Sequence, residues 1–182
     1  RNVSGSDGGG LLVYWSDDVH LRRVSISDNQ NTGSYMCAGG GISAVYADGL
    51  SLSDVVLSNN QGGSGAGLCG CACDEMALDH VTVTDTVTGG SGGGIVFSEG
   101  GDATISNSII AGNHAEIYGG GLRHLWGGLV LSNVLVLGNT SNFSGGGIWS
   151  GDGVLTLTDV TVAGNTTVNG GGGIASTTAL YM

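Results

Sequence analysis

The chain has 182 residues, with 38 glycines, no proline and only 10% charged side chains; four arginines, no lysine and 15 acids give a net charge of −11. That balance excludes nucleic acid as a partner, because a phosphate backbone calls for clustered Lys and Arg. No run nears the ~18 apolar residues of a membrane span, and hydrophobic residues making up 40% of the chain and placed periodically exclude a disordered linker.

Read from the N-terminus, one unit keeps returning. Gly8-Gly9-Gly10 leads into Leu11; Val19, Leu21, Val24 and Ile26 then alternate with polar residues as far as Asn29. The second unit starts at Gly39 and enters Ile42. It continues through Leu50, Leu52, Val55 and Leu57 to Asn60. The third starts at Gly65 (Gly-Ala-Gly), enters Leu68, and runs through Met76, Leu78, Val81 and Val83 to Thr86, which stands where an Asn is expected. The fourth, from Gly92 and Ile95, carries Ala103, Ile105, Ser108 and Ile110 to Asn113. The fifth, from Gly119 and Leu122, carries Leu129, Leu131, Val134 and Val136 to Asn139. The sixth, from Gly145 and Ile148, carries Leu155, Leu157, Val160 and Val162 to Asn165. A seventh opens at Gly171 and Ile174. Successive starts lie 31, 26, 27, 27, 26 and 26 residues apart, an interval that marks a solenoid, propeller or array.

Within each unit the period is two, with β-branched enrichment, which predicts strands and almost no helix. Three short strands are expected per unit: one after the glycines, and two flanking an Asp/Asn corner such as Asp159. A unit of 26 residues is too short for a four-stranded propeller blade. Coiling fits: one unit per rung, each strand paired in parallel with its copy roughly 4.8 Å away, for six or seven rungs in a rod roughly 30 Å long. Consecutive glycines then form a sharp corner close to the neighbouring rung. Asn29, Asn60, Asn113, Asn139 and Asn165 form a structural ladder of side-chain amides at a turn. Residues 1–182 read as one such domain. It opens just before a repeat boundary and stops just inside a unit with no polar cap, as expected of a piece of a longer chain.

The combination G-G-G-[IL] … L-x-L-x-[DN]-V-x-V-x-x-N resembles the repeat of polymorphic outer-membrane proteins and bacterial autotransporter passengers. Gly145-Gly146-Gly147-Ile148 matches their G-G-A-I element. Val162-Ala163-Gly164-Asn165 matches their F-x-x-N element, with an aliphatic in place of Phe. The resemblance implies an all-β, right-handed parallel β-helix that is secreted or displayed at the bacterial cell surface, outer-membrane-associated, and acts as adhesin or scaffold. Fold alone does not fix activity.

Four features are candidates for chemistry. Cys37, Cys69, Cys71 and Cys73 suggest two disulfides with three connectivities. The last three alternate and are expected on one face away from Leu68, and the extra residues near 32–36 would bring Cys37 alongside. Free structural thiols are the alternative to disulfides, and C-x-C-x-C is a weak zinc pattern. Asp17, Asp48 and Asp74 share one turn position, followed by Asp18, Glu75 and Asp102 one place later. This acidic ridge is read first as a solvated turn, and second as a place where a hard cation such as Ca²⁺ would screen stacked carboxylates; no cofactor is required. Trp15, Tyr46 and Trp126 lie five places after the glycine corner, with Tyr14 and Trp149 nearby. They either cover a strand end or stack on a glycan or anchor a host or cell-surface protein. His20, His80, His114 and His124 fall at different places and read as scattered surface residues.

A non-catalytic scaffold or adhesin is therefore expected. A fibre subunit joined end to end or side to side is the first alternative. A polysaccharide lyase or hydrolase is a weaker one. Outward turns imply no cleft for a carboxylate pair, and Arg22, Arg23 and Arg123 are absent from the acidic column. Ice binding is weaker again, because Thr82, Thr84, Thr104, Thr156, Thr158 and Thr161 do not form one unbroken row.

Overall fold

A computed structural model describes residues 1–33 and 37–182. Among these the chain is all β, wound into a parallel solenoid of about 7 turns. Three parallel sheets run the length of the coil. The long face is built from strands such as Ser51–Ser58, Met76–Thr84, Ala103–Ala111 and Gly128–Leu137. A short face stacks seven two-residue strands, from Val3–Ser4 to Thr166–Thr167. The glycine face carries Leu11–Tyr14, Ile42–Val45, Leu68–Cys71, Ile95–Ser98, Leu122–His124, Ile148–Ser150 and Ile174–Ser176.

The register places like on like. Leu21, Leu52, Leu78, Ile105, Leu131 and Leu157 pair in one file on the long face. Leu11, Ile42, Leu68, Ile95, Leu122, Ile148 and Ile174 make a second file on the glycine face. These side chains belong to a single continuous core. Each large aliphatic fully withdrawn from water contributes about 1.5–3 kcal/mol.

The corner within the long face explains why inward residues there are spaced by three rather than two. Leu52 and Val55 both point in because Asp54 between them has φ 55°. The same left-handed residue recurs as Arg23, His80, Asn107, Asn133 and Asp159. One such residue shifts the phase of the pleat by one, so both halves of the strand face the core. In the middle rungs the two expected strands are therefore one strand bent at this residue. The short face is the third strand of each rung, and the sequence reading did not contain it.

The three glycines of a corner serve separate needs. The first is left-handed, as at Gly92 (φ 64°) and Gly119 (φ 61°). A Cβ on the second would collide with a main-chain carbonyl of the adjoining rung: at Gly93 with that of Gly120, at Gly120 with that of Gly146. On the third, at Gly121, it would lie 2.8 Å from the Gly147 carbonyl oxygen and 3.0 Å from the Asn139 side chain.

That Asn139 contact joins the corner to the ladder. Asn113 Nδ2 donates to Asn139 Oδ1 at 2.9 Å and to the Val83 carbonyl at 3.0 Å. Asn139 repeats this with Asn165 Oδ1 at 3.0 Å and the Ile110 carbonyl at 2.9 Å. Each Oδ1 also accepts the main-chain amide of the preceding ladder residue. Asn29 and Asn60 are joined the same way at 3.2 Å. The ladder starts one residue earlier than the repeats suggest, at Asn2, whose Nδ2 donates to Asn29 Oδ1 at 2.8 Å. At Thr86 a hydroxyl replaces the amide and reaches Asn113 Oδ1 at 2.7 Å.

Asn113→Ala leaves the buried Thr86 amide and the Val83 carbonyl without their partner, and is expected to cost about 2–4 kcal/mol. Thr86→Asn restores the interrupted amide column and is expected to add about 1 kcal/mol. Urea unfolding of both variants, followed by circular dichroism, checks the pair of opposite signs.

Candidate functional site

The glycine face has an outer side as well as a core side. Two outward files run along it. One is Leu12, Ser43, Cys69, Val96, Arg123, Trp149 and Ala175; the other begins Tyr14, Val45, Cys71 and Ser98. Several of these outward residues are nonetheless buried, because the segment preceding each glycine corner lies over them. Ser43 Oγ ties such a segment down by donating to the Cys37 carbonyl at 2.9 Å and accepting the Gly39 amide at 2.9 Å. A second, smaller apolar cluster forms in the crease: Cys37, Cys69, Cys71 and Val96, with Val45 against it.

Cys37 and Cys69 are joined by a disulfide across 32 residues of sequence. A loop of that size is worth about 3–4 kcal/mol in chain entropy. The bond fastens the second rung's overlying segment to the third rung's strand. Of the residues expected to carry Cys37 into place, those at 34–36 lie outside the described residues. Cys71 and Cys73 are free and buried, so one disulfide forms where two were expected. The three alternating cysteines do not share a face either: Ala72 has φ 51°, which turns Cys73 into the main core while Cys69 and Cys71 stay outside. Burial pushes the Cys71 thiol up, the Glu99 charge adds to that, and a Ser98 hydrogen bond opposes it. Burial also raises Cys73. Both stay protonated thiols, which makes them poor nucleophiles.

Beside the disulfide, at the end nearer the N-terminus, the outer face opens into a groove of about 320 Å³ between Asp7, Cys37, Val45, Tyr46, Cys71 and Glu99. It continues into a wider one bounded by Leu12 and Tyr14. Trp15 stacks on Tyr46 with ring centroids 4.5 Å apart and planes 23° from parallel. Tyr14 stands edge-on to both, at 6.1 and 6.4 Å. All three rings are exposed, Trp15 the most at 68%. Trp15 and Tyr46 are left-handed (φ 50° and 51°), as are Ala72, Glu99 and Trp126 at the same place in later rungs. The expected aromatic column is thus a real file of turn residues, but Ala72 and Glu99 interrupt it. Trp126 is separated from the stacked pair, and Trp149 belongs to the outward strand file instead. It sits with Arg123, Tyr118 and Phe143 farther along the same face.

The acidic turn is organised by main-chain amides. Asp48 Oδ1 accepts the Asp74 amide at 2.8 Å, Asp74 Oδ1 accepts the Gly101 amide, and Asp102 Oδ1 accepts the Gly128 amide at 2.7 Å. Each carboxylate caps the next rung, while Asp17 and Asp18 stay exposed on the first. Among the described residues no group of three or more His, Cys, Asp or Glu side chains is placed to hold a metal ion. At the long-face corner, hydrogen bonds from Ser106, Asn107 and His80 hold the Asp79 carboxyl down at about 2, so it remains an acceptor throughout the physiological range.

His124 departs from the surface reading. It occupies the inward file of the glycine face and is 1% exposed. Nδ1 lies 3.2 Å from Ser150 Oγ, while Nε2 has no hydrogen-bond partner. A Cβ on Gly153 would sit 2.5 Å from its Cε1, so glycine there makes room for the ring. Burial pushes its pKa down, against weaker support for the proton from the Trp126 main chain and the Asp102 charge.

Compared with family models, curated proteins and solved structures, the chain matches none of them. No helix of the described residues is long and apolar enough to cross a membrane.

His124 supplies a pH test. Its folded pKa lies below the unfolded value of about 6.5, so the unfolded chain binds the extra proton first. Its stabilising contribution is complete above about pH 6.5 and is lost as pH falls through that value toward the folded pKa. Urea midpoints measured between pH 7.5 and 5 are expected to fall for the native chain, and to flatten over that window in His124→Gln.

Proposed function

We propose that this chain is a secreted or cell-surface scaffold, non-catalytic, that presents the aromatic groove of its glycine face to a glycan. One observation carries the reading: Trp15 and Tyr46 are stacked, exposed and set on a rigid turn file, beside a groove walled by Asp7 and Glu99. Flat rings offer faces to the C–H edges of a sugar, and carboxylates accept from its hydroxyls. The Trp15–Tyr46 stack restrains each ring, which lowers the conformational freedom lost on binding.

Two further features support the setting. The Cys37–Cys69 disulfide is a bond typical of oxidising compartments outside the cytosol. The G-G-G-[IL] and V-x-x-N elements resemble those of polymorphic outer-membrane proteins, whose β-helices are displayed at the bacterial surface, and the low charge, acidic balance and rod form suit such display.

The test is a titration with neutral oligosaccharides, read by tryptophan fluorescence and checked by calorimetry. Trp15→Ala and Tyr46→Ala are each expected to weaken binding roughly tenfold with the thermal melt nearly unchanged, because both side chains are largely outside the core. Affinity unchanged in both variants would remove the groove as the binding site.

A further inference from the structure

Farther along the same outer face, in the fourth to sixth rungs, a different cluster has formed. The Arg123 guanidinium lies over the Trp149 ring, 5.5 Å from its centroid. Tyr118 leans on Trp149 at 4.9 Å with planes 33° apart, and Phe143 meets Tyr118 edge-on at 5.2 Å. Phe143 is 52% exposed; the other three are half-buried. Local sequence accounts for the gathering. Arg123 and Trp149 are register partners in the outward file, and Tyr118 and Phe143 belong to the overlying segments, where Tyr118 bridges to Ser144.

The placement of the arginine is unusual for this chain. Acids outnumber arginines 15 to four, yet the ion pairs of the described residues join Arg22, His80 and His114 to acids and none involves Arg123. Its Nε is buried without a hydrogen-bond partner. Burial lowers its pKa, with Tyr118 opposing the shift. A charge withdrawn from water without a counter-charge is destabilising. A planar guanidinium on an aromatic face is the arrangement that receives a carboxylate through two parallel hydrogen bonds. Trp149 and Tyr118, both half-buried, border that fork.

We propose that Arg123, Trp149 and Tyr118 form a second subsite on the glycine face, which binds a saccharide ring bearing a carboxylate. Trp149 and Tyr118 hold the ring and the Arg123 fork holds the carboxylate. The inference rests on the reading that this face takes glycans and adds the chemical class of one of its sugars. Four rungs separate Arg123 from Trp15 and five separate Trp149 from it, roughly 19 to 24 Å at the parallel-strand spacing, so one acidic oligosaccharide of about five units laid along the axis reaches both. The net charge of −11 opposes an anion at long range, but a Debye length of about 8 Å at physiological salt confines that repulsion and leaves the nearby fork to decide.

The experiment titrates the full chain with methyl glucuronoside, its methyl ester and methyl glucoside, following Trp15 at one cluster and Trp149 and Phe143 at the other by NMR. The free carboxylate is expected to bind about tenfold more tightly than either neutral sugar. Arg123→Met is expected to abolish that preference and to melt close to the native chain, because the half-buried guanidinium has no ion pair among the described residues. Arg123→Lys, which keeps the charge but loses the planar fork, recovers only part of it. Equal affinity for the three sugars, or a preference that survives Arg123→Met, would overturn the subsite and leave the groove at Trp15 standing. Absence of binding by any of the three at either aromatic cluster would overturn both readings together.

Discussion

Parallel register between successive rungs constrains everything else in this molecule. Main-chain amides of a strand bond to the same strand one turn away, so the side chain above a residue is the one 26 or 27 positions along through most of the coil, 31 from the first glycine corner to the second, and 25 at the last pairing. A rung has no core of its own and stands only because the next rung covers it. From that single condition follow the aliphatic files, the Asn ladder and the corner glycines. Chains a rung apart leave no room for a Cβ where one corner passes another, which is why the glycines recur rather than simply abound.

The same condition distributes function. An inward file on the long face has one requirement, to fill the core, and holds Leu or Ile at every level from Leu21 to Leu157. A file that points outward is free to change from rung to rung. Thus Leu12, Ser43, Cys69, Val96, Arg123 and Trp149 occupy one register position with six different chemistries. On this outer face an aromatic groove, with its rings on the first two rungs and a wall reaching Glu99, gives way to an arginine–aromatic cluster farther along. Binding surface is thereby built by substitution along a file, on main chain that does not alter.

Much of this could be read from residues alone, and the exceptions have physical causes. The glycine corners, the long-face files and the Asn ladder were legible because each repeats with one chemistry. The short face was not, because two-residue strands such as Gln61–Gly62 and Val87–Thr88 are too brief to show a period. Simple alternation puts Cys73 on the wrong face because the left-handed Ala72 reverses it, and alanine carries no turn signal. Residue type alone points His124 to the surface, although its place, three after the last corner glycine, is the place of Val13, Ala44 and Phe97, all core residues. Comparing register positions instead of residue types would have found it. Tyr118 and Phe143 lie in the segments before the corners, where the repeats hold no fixed pattern. Their approach to Trp149 could be seen only in three dimensions.

The central claim is the stacking itself, and methyl-to-methyl nuclear Overhauser contacts in an Ile/Leu/Val-labelled sample address it most directly. The account predicts an unbroken series Leu52–Leu78–Ile105–Leu131–Leu157, each contact joining residues 26 or 27 apart. A parallel series Ile42–Leu68–Ile95–Leu122–Ile148 is expected on the opposite side of the core. Contacts dominated instead by neighbours within one repeat, as in antiparallel hairpins, would contradict the coil and with it both surfaces built on its outer face.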